Sequence, residues 1–204
     1  MNPPRKYTDL LVSWLGVCIV IVLVVAGGLA LWAYSYTSDQ VHNQLAVQRI
    51  TFPAADSIYP CAPSVQAQGG FATEDCHPNY AFLKQYAGEQ VTSGDQAKAY
   101  SDMILNHLNA MTGGQTYSQL SAASLAQPNN TALQGEVATV FKGTTLRGLL
   151  LNAYGFGTIA TVAGWSAVAL FIMAGILAIL CVLGFLHAYG KIGRKEAAEP
   201  SASS

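Results

Sequence analysis

The sequence predicts an all-α membrane protein: two transmembrane helices with a mostly helical, disulfide-stapled extracytoplasmic domain between them. Three observations carry that expectation. Of 204 residues, 51% are hydrophobic and only 10% are charged, where a soluble domain carries about 25% charged residues. The deficit is concentrated in two uncharged stretches, and the segment between them has near-normal charge. That middle segment also holds two cysteines, Cys61 and Cys76, among turn-forming residues. The formal net charge of −1 gives no argument for nucleic acid as a partner.

The first uncharged stretch runs from Leu10 to Ser38, between Asp9 and Asp39. Its core, Leu10 to Trp32, is almost wholly Leu, Val, Ile, Ala and Gly, and at about 1.5 Å per residue it exceeds the roughly 30 Å of a hydrocarbon layer. A cleaved signal peptide has an apolar region of only about 7–15 residues followed by a small-x-small site. Here the run is longer and closes on Trp32, Tyr34 and Tyr36, an aromatic group suited to a membrane interface. Cys18 follows Leu15-Gly16-Val17 inside the run, which reads as an uncleaved anchor and not as a lipid acceptor. Residues 10–36 are assigned to the first span.

From Asp39 to Ile50 the chain is Gln-rich, with Val41, Leu45 and Val47 apolar, and the helix is expected to continue outward for a few turns. Phe52-Pro53 should end it, because proline disfavours helix in the residue before it; a strand around Gln48 to Phe52 is also compatible. Residues 52–80 contain Pro53, Pro60, Pro63 and Pro78 and show no sustained period, which reads as an irregular loop. Cys61 and Cys76 lie within it. Two cysteines alone in an oxidising compartment usually pair, closing a ring of about 16 residues, and the chain-entropy model assigns such a ring roughly 3 kcal/mol. Cys18 and Cys181 fall inside the spans and read as small apolar packing residues.

Helical signals return at Asn79, with Phe82, Tyr86 and Gln90 on a short face. Ser93-Gly94-Asp95-Gln96 fits a capping box; Ala97, Tyr100, Ile104, Leu108 and Met111 follow at helical spacing, and Gly113-Gly114 should terminate the helix. Thr116 with Gln119 repeats the cap pattern before a short helix to about Ala126. Pro128-Asn129-Asn130 breaks the chain again. Thr131 to Lys142 is a further candidate helix, and Gly143-Thr144 leads into the second apolar region.

That region, Gly148 to Leu186, is 39 residues long, too long for one span and too short for two with a turn. Residues 148–158, with Asn152, Tyr154, Gly155 and Gly157, suit an interfacial lead-in helix, leaving 159–189 as the second span. Within the span Gly164, Ala167, Ala174 and Ala178 form the predicted helix-packing face, with Cys181 continuing it, since small side chains let another helix approach closely. Gly16, Gly27 and Ala30 offer the first span a matching set, so the two helices can also pack on each other.

Orientation follows from the short flanks. Arg5 and Lys6 precede the first span, and Lys191, Arg194 and Lys195 follow the second. The middle segment, 37–147, holds five basic residues against eight acidic ones. Basic flanks stay in the cytoplasm, and two spans put both ends on one side. The expected location is the cell (plasma) membrane, with residues 1–9 and 190–204 cytoplasmic and the loop extracytoplasmic.

Candidates for chemistry are few. Cys61, Cys76, His77, His42 and His107 are the right residue types for a metal, but no CxxC or HxxxH spacing exists and a disulfide consumes both thiols. No Gly-x-Ser-x-Gly occurs. Glu74-Asp75 lacks a calcium-loop register, and the glycines around Tyr154 have no lysine to meet a phosphate. The spans contain no Asp, Glu, Lys or Arg and only His187 at one end, which excludes bis-histidine haem ligation and a proton path built within them from this chain alone. No catalytic residue, cofactor or metal is expected.

Gln48-Arg49-Ile50-Thr51-Phe52-Pro53, Tyr86-Ala87-Gly88-Glu89-Gln90-Val91 with Gln96-Ala97-Lys98-Ala99-Tyr100, and Phe141-Lys142-Gly143 with Leu146 to Tyr154 resemble segments of a family of small actinobacterial membrane proteins. These accompany the cytochrome bcc–aa3 respiratory supercomplex as association factors. With the two spans, the resemblance covers residues about 10–190. It implies a non-catalytic accessory subunit without a cofactor, whose partners are the lipid bilayer and other membrane subunits of the supercomplex. The competing readings are a free-standing envelope protein whose loop binds a periplasmic ligand or cell-wall component, and a membrane enzyme.

Overall fold

A computed structural model describes residues 5–61, 76–77 and 80–196 of the chain. The loop positions Pro63, Gly69, Gly70, Glu74, Asp75 and Pro78, the start of the Asn79 helix signal, and the tail 197–204 lie outside the described residues. The regular elements among the described residues are all helices, with no strand: α1 (Arg5–Gln48), a single 3-10 turn (Ala55–Ser57), α2 (Tyr80–Lys84), α3 (Gly94–Thr112), α4 (Tyr117–Ala126) and α5 (Thr131–Glu196).

The helix boundaries have local causes. α1 stops four residues before Phe52; Arg49 takes a left-handed φ of 53°, and the Gln90 side chain donates to the Ala46 carbonyl (2.7 Å), one of the acceptors a helix end leaves without an internal partner. At α3, Ser93 Oγ accepts from the Gln96 amide (3.3 Å) while Gln96 Oε1 accepts from the Ser93 amide (3.1 Å), the reciprocal box its sequence spells. Thr116 and Gln119 do the same for α4. Gly113 ends α3 in the left-handed conformation, φ 61°, where a side chain would be strained. Asn130 Oδ1 accepts from the Leu133 amide (3.1 Å) and starts α5.

The segments expected as a helix over Thr131 to Lys142, a lead-in and a span form one uninterrupted helix of 66 residues. No proline occurs in it. Its glycines each cost about 1 kcal/mol relative to alanine, but two of them are contact points for α3 and are held by that packing. The strand admitted around Gln48 to Phe52 is reduced to one antiparallel bridge, Thr51 with Gln90. Phe52 N donates to Glu89 O (2.9 Å) and Val91 N to Ile50 O (2.8 Å). Cys61 and Cys76 form a disulfide with Cα atoms 4.8 Å apart.

The chain divides into two compact units, Tyr36–Ala160 and a unit made of Met1–Ser35 with Thr161–Ser204. In the central unit, α3 runs antiparallel on α5. A Cβ built on Gly157 would stand 3.1 Å from Gly94 Cα, and one on Gly143 would stand 2.8 Å from Leu108 Cδ2. Both pairs of partners are fourteen positions apart in the sequence, so the helices stay in register over four turns. Midway stand Ser101 and Leu150, both buried. Around this seam Val41, Leu45, Phe52, Leu83 and Val91 complete the main core. Leu108, Leu120 and Val140 form a smaller one.

The other unit is an antiparallel helix hairpin. Tyr34 meets Gly164, Phe171 meets Gly27, Cys181 meets Gly16 and Ser13 meets Gly184, so ascending positions on α1 face descending ones on α5. The Trp14 and Phe185 rings meet edge to face at 6.0 Å. Inward positions recur every seven residues, as Ala167, Ala174 and Cys181 do on α5, the spacing of a left-handed helix pair.

Replacing Gly157 with valine should destabilise the central unit by about 1–3 kcal/mol, because the obstacle is backbone and cannot swing aside. Circular dichroism melting of the full chain checks this. An unchanged Tm would show that the α3–α5 approach is not tight.

Candidate functional site

The residues singled out in the sequence fall in separate places. Gly164 packs on the Tyr34 ring, Ala167 and Ala174 are buried within the hairpin, and Ala178 is half-buried. The small-residue face of α5 is therefore turned toward α1. The disulfide sulfurs are buried beside the Pro60–His77 bridge. His107 is exposed on α3. Among the described residues, no three His, Cys, Asp or Glu side chains come together as a metal would need.

Two tyrosines in the central unit are perturbed. Phe52 stacks on Tyr86 with ring centroids 5.5 Å apart and meets Tyr100 edge to face at 5.3 Å. Burial raises the Tyr100 phenol above its ordinary range. Burial also raises Tyr86, aided by the carboxylates of Asp95 and Glu89. The cluster bridges α3 to the segment after α1, and its phenols favour the neutral form through desolvation.

Among the described residues, a groove of about 480 Å³ in the central unit has binding capacity. α1 supplies Tyr36, Gln40, Val41, Gln44, Leu45 and Gln48; α5 supplies Leu149, Leu150, Asn152, Ala153 and Phe156. Val41, Leu45 and Leu150 are buried and form its floor, while Gln40, Gln44, Gln48 and Asn152 are exposed at its rim. The glutamines recur every four residues, so one face of α1 presents them in a row. Sequence reasoning registered this stretch as Gln-rich without assigning it a site. The spacing was the available signal; the opposing wall, a hundred residues away, was not. A second cavity, about 430 Å³, lies in the hairpin beside Ser13, Gly16 and Cys181.

The chain matches no protein-family model, no curated protein and no solved structure.

Raised phenol values give a signed pH dependence. A group that holds its proton more tightly when folded contributes fully below the unfolded tyrosine value of about 10, and that contribution is lost as pH rises through the folded value. The central unit should therefore weaken above about pH 10. The double replacement Tyr86→Phe/Tyr100→Phe should move the alkaline limb of a pH–Tm curve upward. An unmoved limb would assign alkaline loss to other groups.

Proposed function

We propose that the chain is a two-span protein of the cell membrane with its central unit on the extracytoplasmic side, serving as a non-catalytic subunit of a larger respiratory complex. The observation that supports the membrane reading is the inverted polarity of the hairpin. Its outward positions are large and apolar, with Trp165 72%, Leu11 69% and Trp32 64% exposed, while its inward positions are the small ones, Ala167 at 1%, Ala174 at 3% and Ser13 at 6%. Water would drive the opposite arrangement; lipid favours this one.

Trp14 and Trp32 lie eighteen residues apart on α1, about 27 Å of helix, close to the thickness of a hydrocarbon layer. The basic residues Arg5, Lys6, Lys191, Arg194 and Lys195 flank the apolar runs on the side proposed as cytoplasmic. The disulfide fits an oxidising compartment for the central unit.

The subunit reading rests on the resemblance to the prokaryotic respiratory supercomplex association factor of the cytochrome bcc–aa3 assembly. It is supported by the absence of Asp, Glu, Lys, Arg and His from both apolar runs and by exposed Leu149 and Phe156 just before the second span, with Ile159 at its start. Contiguous apolar surface of this kind suits a protein partner or the membrane interface. Because the small face of α5 is turned inward, the partner would meet the outward surface of the hairpin.

Topology is tested by single cysteines in a background that lacks Cys18 and Cys181 but keeps the disulfide. Ser118→Cys should react with an impermeant maleimide in intact cells and Ser203→Cys should not; the reverse pattern would overturn the orientation. Membership of a complex is tested by capturing a tagged chain from mildly solubilised membranes. Haem-containing subunits should accompany it in near-stoichiometric amounts, and a chain recovered alone would end the subunit reading.

A further inference from the structure

We infer that the groove between α1 and α5 in the central unit binds an uncharged amphiphile: an apolar chain carrying a hydroxyl-bearing head without net charge. Three features of the groove point to that class.

The first is what its amides leave undone. Elsewhere in the unit several glutamine side chains have structural partners: Gln90 holds the end of α1, Gln96 and Gln119 close capping boxes, and Gln134 donates to Pro128 O. The carboxamides of Gln40, Gln44, Gln48 and Asn152, gathered on one groove, take part in no such bond. Each offers donors and an acceptor, the combination that matches hydroxyl groups, which also do both.

The second is charge. Among the described residues no carboxylate, ammonium, guanidinium or imidazole lines the groove, although Asp39 and His42 occur in the same stretch of α1. An ionic head would find no counter-ion among these side chains. The third is shape. The floor of Val41, Leu45, Leu150 and Ala153 is apolar, and the volume lies in the range of about 300–1,000 Å³ typical of small-molecule sites. From Tyr36 to Gln48 the wall runs for about 18 Å of helix. An elongated, chain-like molecule suits a groove of that length.

The test uses the full chain with Leu149→p-benzoylphenylalanine, a change at an exposed position of the rim, in phosphatidylcholine nanodiscs. One set contains monoglucosyldiacylglycerol and the other phosphatidylglycerol at the same mole fraction, so the two heads share hydroxyl groups and differ in charge. After irradiation, intact-mass spectrometry should show at least tenfold more adduct with the glucolipid. Adding Gln44→Leu and Asn152→Leu, which preserve bulk and remove amides, should lower the adduct tenfold while the circular dichroism spectrum stays unchanged. Equal labelling by the two lipids, no labelling, or labelling insensitive to loss of the amides would overturn the inference. So would predominant cross-linking to a protein in native membranes, which would make the groove a docking surface. None of these readouts depends on whether haem-containing subunits co-purify.

Discussion

Two glycines let α3 lie directly on α5, and the packing of the central unit depends on that approach. With hydrogen at Gly94 and Gly157, backbone meets backbone at one end of the seam; fourteen residues along, Gly143 makes room for Leu108. Small stands against large at both the middle and the far end, since Ser101 and Leu150 occupy the midpoint. This is how two ridged cylinders reach interior packing density without a void. Gly94 is also the first residue of α3, so the turn that caps the helix is placed by the same contact. From that turn, Val91 and Glu89 reach back to Ile50 and Phe52, joining the end of α1 to the seam.

The hairpin solves a related problem with different residues. Its inner stripe on α1 passes through Ser13, Gly16 and Gly27, and that on α5 through Ala167, Ala174 and Cys181. Little apolar area separates inner from outer positions in value, so close approach and dispersion contacts do the selecting. Hydroxyl–backbone bonds along α5, such as Thr158 Oγ1 to Tyr154 O and Ser166 Oγ to Val162 O, satisfy polar groups within the helix itself.

Much of the local architecture was legible in the sequence because its causes are local. Ser93 with Gln96, Thr116 with Gln119, and Gly113 each act within four residues, and the helices they delimit start and stop where those residues stand. The pairing of Cys61 with Cys76 was legible by elimination of partners. What escaped were consequences of distance. α5 reads as three segments because Gly143, Gly148, Gly155 and Gly157 look like interruptions; the helix continues because α3 covers two of them. The aromatic cluster of Phe52, Tyr86 and Tyr100 and the groove walls join positions whose separation no periodicity records. The face containing Gly164, Ala167 and Ala174 was visible, but a stripe of small residues does not name the helix that faces it.

The covalent ring formed by Cys61 and Cys76 has a consequence for how the chain tolerates cleavage. The flanking anchors, Ile58 on one side and Leu83 on the other, belong to the main core, and the bond fixes the ends of segment 62–75 whatever lies between them. A backbone cut between the two cysteines leaves the halves covalently joined, so neither anchor is released from the chain.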